Sequence, residues 1–155
     1  MHILITGVAS GIGRATADLF LARGHTVFGI DRAPAAEQKN LHGFMADITR
    51  EEELLSVARQ LSDREIRLDA IVNIAGIHIM TSLVEGDWAR MQKIVDVNLS
   101  GTMLVNRIFH PFLREKGRIL IVTSEVAGFD PVPFNGLYSV TKTALEAYAQ
   151  ALRQE

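Results

Sequence analysis

Short β-branched and apolar runs alternate with stretches of helical periodicity from the first residues onward. "HILIT" is followed by a helical pattern over residues 12–23, "TVFGID" by a turn, and "GFMAD" by a helix over residues 51–61. "DAIVNIAG" then precedes a long helix from about Asp87 to Phe109, "RILIVTS" makes the fifth strand, and a last helix starts near Gly136. The runs are apolar on both faces, which suits strands buried from both sides in a parallel sheet with helical crossovers. The pattern predicts an α/β fold, a Rossmann-type doubly wound parallel sheet in three layers. Local chemistry supports the boundaries: "TREE" from Thr49 places Glu52 for a capping box, and Pro111 ends the long helix. No repeat, linker or low-complexity stretch divides the 155 residues, so residues 1–155 are read as one domain.

Composition narrows the function classes. The hydrophobic share of 48% against 22% charged residues is that of a globular protein, and a formal net charge of −2 without a Lys/Arg cluster argues against nucleic acid or an anionic membrane as partner. There is no cysteine, hence no disulfide framework, thiolate metal site or cysteine nucleophile, and the chain is read as cytoplasmic. The opening "MHILI" is too short for a signal peptide's apolar core, and no segment reaches the length of a membrane span. The five histidines have no metal-ligand spacing, so no metal is expected. His78 stands near the crevice, where a plain loop residue is the simpler reading. The acids Glu51, Glu52 and Glu53 suit the first turn of a helix, where they complement its dipole.

The stretch "TGVASGIG", residues 6–13, sits between the first strand and the first helix. In such a sheet this turn faces the ligand crevice, and Gly7, Gly11 and Gly13 would let a phosphate approach backbone N–H groups and the positive end of the helix. A turn that only packs helix on strand would use glycines too. Asp31, at the end of the second strand, can accept hydrogen bonds from both ribose hydroxyls of an adenosine and would repel a 2′-phosphate, which favours NAD over NADP. Its neighbour Arg32 could instead greet that phosphate.

The spacing GxxxGxG, with "NIAG" at residues 73–76 and "YSVTK" at residues 138–142, resembles the short-chain dehydrogenase/reductase family, and the resemblance runs the length of the chain. It implies an oxidoreductase that moves a hydride between nicotinamide and a small alcohol or carbonyl substrate. Contacts to the cofactor would come from Gly7, Ser10, Gly11, Ile12, Gly13, Asp31, Arg32, Asp47, Ile48, Asn73, Ala75, Gly76, Tyr138 and Lys142. Asp47 would meet the adenine ring, and "NIAG" would support the fourth strand. Tyr138 and Lys142, one helical turn apart, share a face; an ammonium beside a phenol favours the phenolate and makes it a usable proton carrier. A core stripe of Tyr138, Leu145, Ala149 and Leu152, with Lys142 at its edge, is the bland alternative. By resemblance Tyr138 exchanges the proton and Lys142 holds the nicotinamide ribose.

Asn98 lies on the stripe Met91, Val95, Thr102 and Val105, where an amide needs partners. "VNLSG" resembles the family segment whose Asn binds a water linked to the lysine, while an Asn that caps a distorted turn beside Gly101 is the competing reading. Ser124 fits the serine that contacts the substrate oxygen, but stands one residue farther from Tyr138 than the family spacing, which falls on Glu125. A one-residue bulge in "EVAGFDPVPFNG" would restore Ser124 to the site. Family members continue with two more strands and a segment over the substrate. A chain ending at Glu155 is expected to leave "RILIVT" as an open edge and to form a homo-oligomer through it. A noncatalytic dinucleotide-binding or assembly module, or an inactive fragment of such an enzyme, is the alternative function.

Overall fold

The computed structural model describes residues 1–125 and 133–155. Five strands form one parallel sheet in the order β3-β2-β1-β4-β5: β1 His2–Thr6, β2 Thr26–Asp31, β3 Leu41–Met45, β4 Leu68–Asn73 and β5 Leu113–Ile121. Strand order reverses between β1 and β4, and every strand points its carboxyl end to the same rim. A doubly wound sheet opens its crevice there.

Apolar side chains on alternate positions of β1 divide the core. Ile3 and Ile5 pack with Val8, Ala17, Val27 and Val72 beneath helix α1 (Gly11–Ala22). Leu4, Phe28, Ile30 and Ile71 pack on the other face with Leu54, Val57 and Leu61 of α2 (Glu51–Asp63) and Val105 and Phe109 of α4 (Thr102–Phe109). The result is three layers, as the alternation predicts.

The long helix over residues 88–109 is one run with a fault inside it. α3 (Trp88–Val95) passes into a π turn (Asp96–Gly101) and then into α4, and a short 3-10 turn at His110–Phe112, holding Pro111, closes it. The Thr102 hydroxyl donates to the Asn98 carbonyl at 3.1 Å and takes up backbone capacity the wider turn leaves over. The last helix, α5 (Gly136–Leu152), packs along α3 and the π turn.

Three local expectations are corrected. β3 begins at Leu41 and ends at Met45, because Asp47 leaves the ladder and turns its carboxylate to Thr49. The capping box at "TREE" does not form: Arg50 is the N-cap of α2 without a side-chain bond, and Glu53 instead reaches back to the Asp47 N–H at 2.7 Å. β5 begins at Leu113, which pairs with Leu68; the register then jumps to Arg118 opposite Ala70. The ion pair between Arg114 and Asp69 spans this irregular stretch. Periodicity misses the early start because "LREKG" has no strand alternation.

Candidate functional site

β1 hands the chain to α1 through a turn that excludes side chains. Gly7 takes φ 81°, where a side chain is strained, and its N–H bonds the Ile30 carbonyl at 2.8 Å. A Cβ on Gly7 would stand 3.1 Å from the Ala75 backbone, and one on Gly13 would run into the Gly7 carbonyl. The first turn of α1 and the end of β4 therefore close on β1 at backbone contact. A cavity of about 420 Å³ opens above them. Gly7, Ser10, Gly11, Ile12 and Gly13 line its floor, Asp31 and Arg32 one wall, Asp47 and Ile48 the next, and Ala75 and Gly76 the side toward β4.

The two acids of this cavity are already engaged. Asp31 accepts from the Ala9 N–H at 2.9 Å and the Ala33 N–H at 3.0 Å, so its carboxylate braces the glycine turn while each oxygen keeps a further lone pair. Asp47 accepts from both the N–H and the hydroxyl of Thr49, at 2.9 and 2.7 Å. Burial pushes the Asp47 carboxyl up, but those two bonds and the charges of Arg32 and Arg50 outweigh it and hold the group below its ordinary value. Arg32 stands 3.8 Å from Asp47 with its side chain 62% exposed. This pairing across two strands has no signature in the sequence.

Asn73 belongs elsewhere. Its amide donates to Asn106 Oδ1 at 2.8 Å and to the Leu120 carbonyl at 3.3 Å, joining β4 to β5 and α4, and it is not among the cavity-lining residues. Asn73 Oδ1 is buried without a partner.

Asn98 is fully buried at the π turn. Its Oδ1 accepts from the Ile77 N–H at 2.7 Å, while Nδ2 donates to the Ile77 carbonyl at 2.9 Å and to Thr141 Oγ1 at 3.3 Å. Thr141 in turn donates to the Tyr138 carbonyl at 2.8 Å. The amide thus ties the segment after β4 to the helix that carries Tyr138 and Lys142. Asn98 sits inside the π turn, and its Oδ1 and Lys142 Nζ flank Gly76: a Cβ there would lie 3.3 Å from the first and 3.8 Å from the second.

Lys142 is 4% exposed and donates from Nζ to the Val122 carbonyl at 2.8 Å, just past β5. Burial lowers its pKa from the ordinary lysine value. Nζ stands 5.7 Å from the centroid of the Tyr138 ring, in cation–π range. Tyr138 and Lys142 are not among the residues that line the glycine-floored cavity, but Lys142 adjoins it at Gly76, where a Cβ would lie 3.8 Å from Nζ. Ser124 lies two residues beyond Val122, half-buried, with Glu125 exposed beside it. The proposed bulge between them and Tyr138 falls largely on residues 126–132, outside the described residues.

Asn135 escapes the sequence reading, and His78, read there as a plain loop residue near the crevice, is tied to it. His78 Nε2 lies 2.6 Å from Asn135 Oδ1, and its ring meets that of Tyr138 edge to face with centroids 4.9 Å apart. The only signal was its place just past "NIAG". A wider groove of about 1240 Å³ between β5 and α5, lined by Ile119, Leu120, Tyr148 and Leu152 among others, holds none of the candidate residues. Among the described residues no helix is long and apolar enough to cross a membrane.

Comparison with known proteins agrees with this geometry. A family profile described as short chain dehydrogenase matches residues 1–155. The chain is 29% identical over 155 residues to a 3-ketodihydrosphingosine reductase of Bacteroides thetaiotaomicron, covering 99% of this chain and 57% of the relative. It is 35% identical over 164 residues to a serine 3-dehydrogenase of Rhizobium radiobacter, covering 99% of this chain and 65% of that protein. The crystal structure of a short chain dehydrogenase family protein from Francisella tularensis superposes with a TM-score of 0.89 at 26% identity, covering 97% of this chain and 62% of that one. The chain thus spans roughly three-fifths of these relatives' length. With the profile matching from end to end and the glycine-floored cavity in its expected place, the chain belongs to the short-chain dehydrogenase family of oxidoreductases.

Proposed function

We propose that the protein is an NAD-dependent oxidoreductase that interconverts an alcohol and a carbonyl, with Tyr138 as the proton carrier. The observation that carries this reading is Lys142: a buried ammonium held 5.7 Å from the Tyr138 ring, next to Gly76 at the cavity wall. A cation is costly to bury, and an enzyme of this chemistry has a use for one there.

The cavity fits a dinucleotide, because Gly7 and Gly13 admit no Cβ and the amino end of α1 opens onto it. Gly7, Ser10, Gly11, Ile12 and Gly13 would hold the diphosphate, Asp31 and Asp47 the adenosine with Ile48 beside it, and Ala75 and Gly76 the ribose side. When bound, the nicotinamide takes or returns a hydride at the carbinol carbon. As the alcohol gives up that hydride, Tyr138 accepts its hydroxyl proton and a C=O bond forms; in reduction Tyr138 returns the proton. Lys142 stabilises negative charge on the phenol oxygen and would bond the ribose hydroxyls once its Val122 contact yields. Asn98 fixes the backbone of Ile77 beside them, and Ser124 would bond the substrate oxygen. Asp31 supports NAD over NADP by charge, and the pairing of Arg32 with Asp47 supports the same choice.

The relatives named above suggest two substrate classes, a long-chain ketone or a hydroxy amino acid. A cysteine-free chain supports a cytoplasmic setting. Exposed Met80, Val84, Trp88 and Phe134 support a homo-oligomer. Titration with NADH and NADPH followed by a screen of alcohols tests the proposal. NADH is expected to bind at least about tenfold more tightly, and Tyr138→Phe to abolish turnover with cofactor affinity unchanged. Tighter NADPH binding overturns the role of Asp31, and binding without turnover of any alcohol or carbonyl favours a binding module.

A further inference from the structure

We propose that His78 is a positioning residue for Tyr138, fixing the phenol ring and the head of α5 through Asn135. This rests on the reading of Tyr138 as proton carrier. His78 is exposed yet fixed from two sides, by Asn135 Oδ1 at 2.6 Å from Nε2 and by the Tyr138 ring at a centroid distance of 4.9 Å and an interplanar angle of 75°. An amide oxygen only accepts, so with Asn135 oriented this way Nε2 carries the proton and the neutral ring has a single tautomer. A histidine in an unconstrained surface loop would have neither restraint.

The segment that carries His78 is anchored at both ends. At Ile77 the Asn98 amide takes both backbone groups, at 2.7 and 2.9 Å. At Thr81 the N–H donates to the Phe134 carbonyl at 2.8 Å, and Leu83 fills the place where a Cβ of Gly136 would stand, 2.8 Å from its Cδ1. Phe134 has φ 64°, a left-handed conformation that is strained for a bulky residue and persists only where the surroundings enforce it. The turn ahead of α5 is therefore held by the strap of residues 77–83 opposite it, and His78 within that strap also touches the Tyr138 ring. A shift of about 1 Å in a reacting group can cost about 10²-fold in rate.

Steady-state kinetics and side-chain NMR on the complete protein would decide. His78→Ala should lower kcat about 10- to 100-fold while the Kd for NADH stays within about twofold. His78→Gln, which keeps a donor for Asn135, should recover part of the loss. Asn135→Ala should resemble His78→Ala, and the double variant should be no worse than either, since the two share one link. By ¹⁵N NMR of the cofactor-free protein the His78 ring should show the Nε2–H tautomer, lost in Asn135→Ala, and the Tyr138 ring should flip faster in His78→Ala. A kcat above half of wild type in His78→Ala, additive losses with Asn135→Ala, or an unchanged Tyr138 ring would each overturn the proposal. A wild-type protein that binds NADH but turns over no substrate would sink the oxidoreductase reading alone, and the NMR result would still decide the link.

Discussion

The Lys142 ammonium donates to the Val122 carbonyl at 2.8 Å, on a residue only 4% exposed. One buried charge therefore joins α5 to the carboxyl end of β5, two residues before Ser124. The burial that lowers its pKa also opposes folding, a cost tolerated where the cation has a task.

Lys142→Met should leave the unfolding free energy unchanged or raise it by about 1 kcal/mol at neutral pH while abolishing turnover. The sign with pH follows from the lowered folded-state pKa. Between it and 10.5 the unfolded chain binds more protons, so wild-type stability rises with pH across that window, and this slope should vanish in Lys142→Met. Urea melts of both proteins at pH 8 and pH 10 would measure it.

Asn98→Ala would leave the N–H and the carbonyl of Ile77 without their partner, in a site where water has limited access. A loss of about 2–4 kcal/mol is expected from two orphaned groups. Asn98→Asp keeps the acceptor and loses the donor, so it should also destabilise. Chemical denaturation gives the number; a change below about 0.5 kcal/mol would mean that the strap is held without the amide.

Gly11 and Gly13 should respond differently to alanine. At Gly13 the new Cβ meets the Gly7 carbonyl, and unfolding free energy should fall by about 3 kcal/mol or more. At Gly11 nothing lies within 4 Å, and φ 54° costs about 1 kcal/mol, so Gly11→Ala should keep its fold. Comparison of thermal melts with NADH affinity for the two variants checks the contrast.

Asp47 contributes stability that is present above its unfolded-state pKa and disappears as pH falls through its lowered folded-state value. Asp47→Asn should cost about 1 kcal/mol or less at pH 7, with a side chain 27% exposed, and the difference from wild type should shrink in acid. Equilibrium unfolding at pH 7 and pH 3 would show a converging pair of curves.

The sequence by itself determined the sheet and the crevice. Apolar runs with helical stretches between them specify buried parallel strands, and "TGVASGIG" specifies a turn without side chains, because periodicity and glycine act through neighbours in the chain. Tertiary structure alone decided the partners. Asn98 could be read as a cap or as a link to the lysine until Ile77 and Thr141 were seen on either side of it. Asn73 carries a cofactor motif's sequence yet turns to Asn106 and Leu120. Arg32 could greet a phosphate, but faces Asp47. His78 was an ordinary loop residue until the fold brought Asn135 and the Tyr138 ring to it. A local pattern reports that a side chain is buried or exposed; which group meets it is set by backbones that join only when the strap after β4, the π turn and the head of α5 come together.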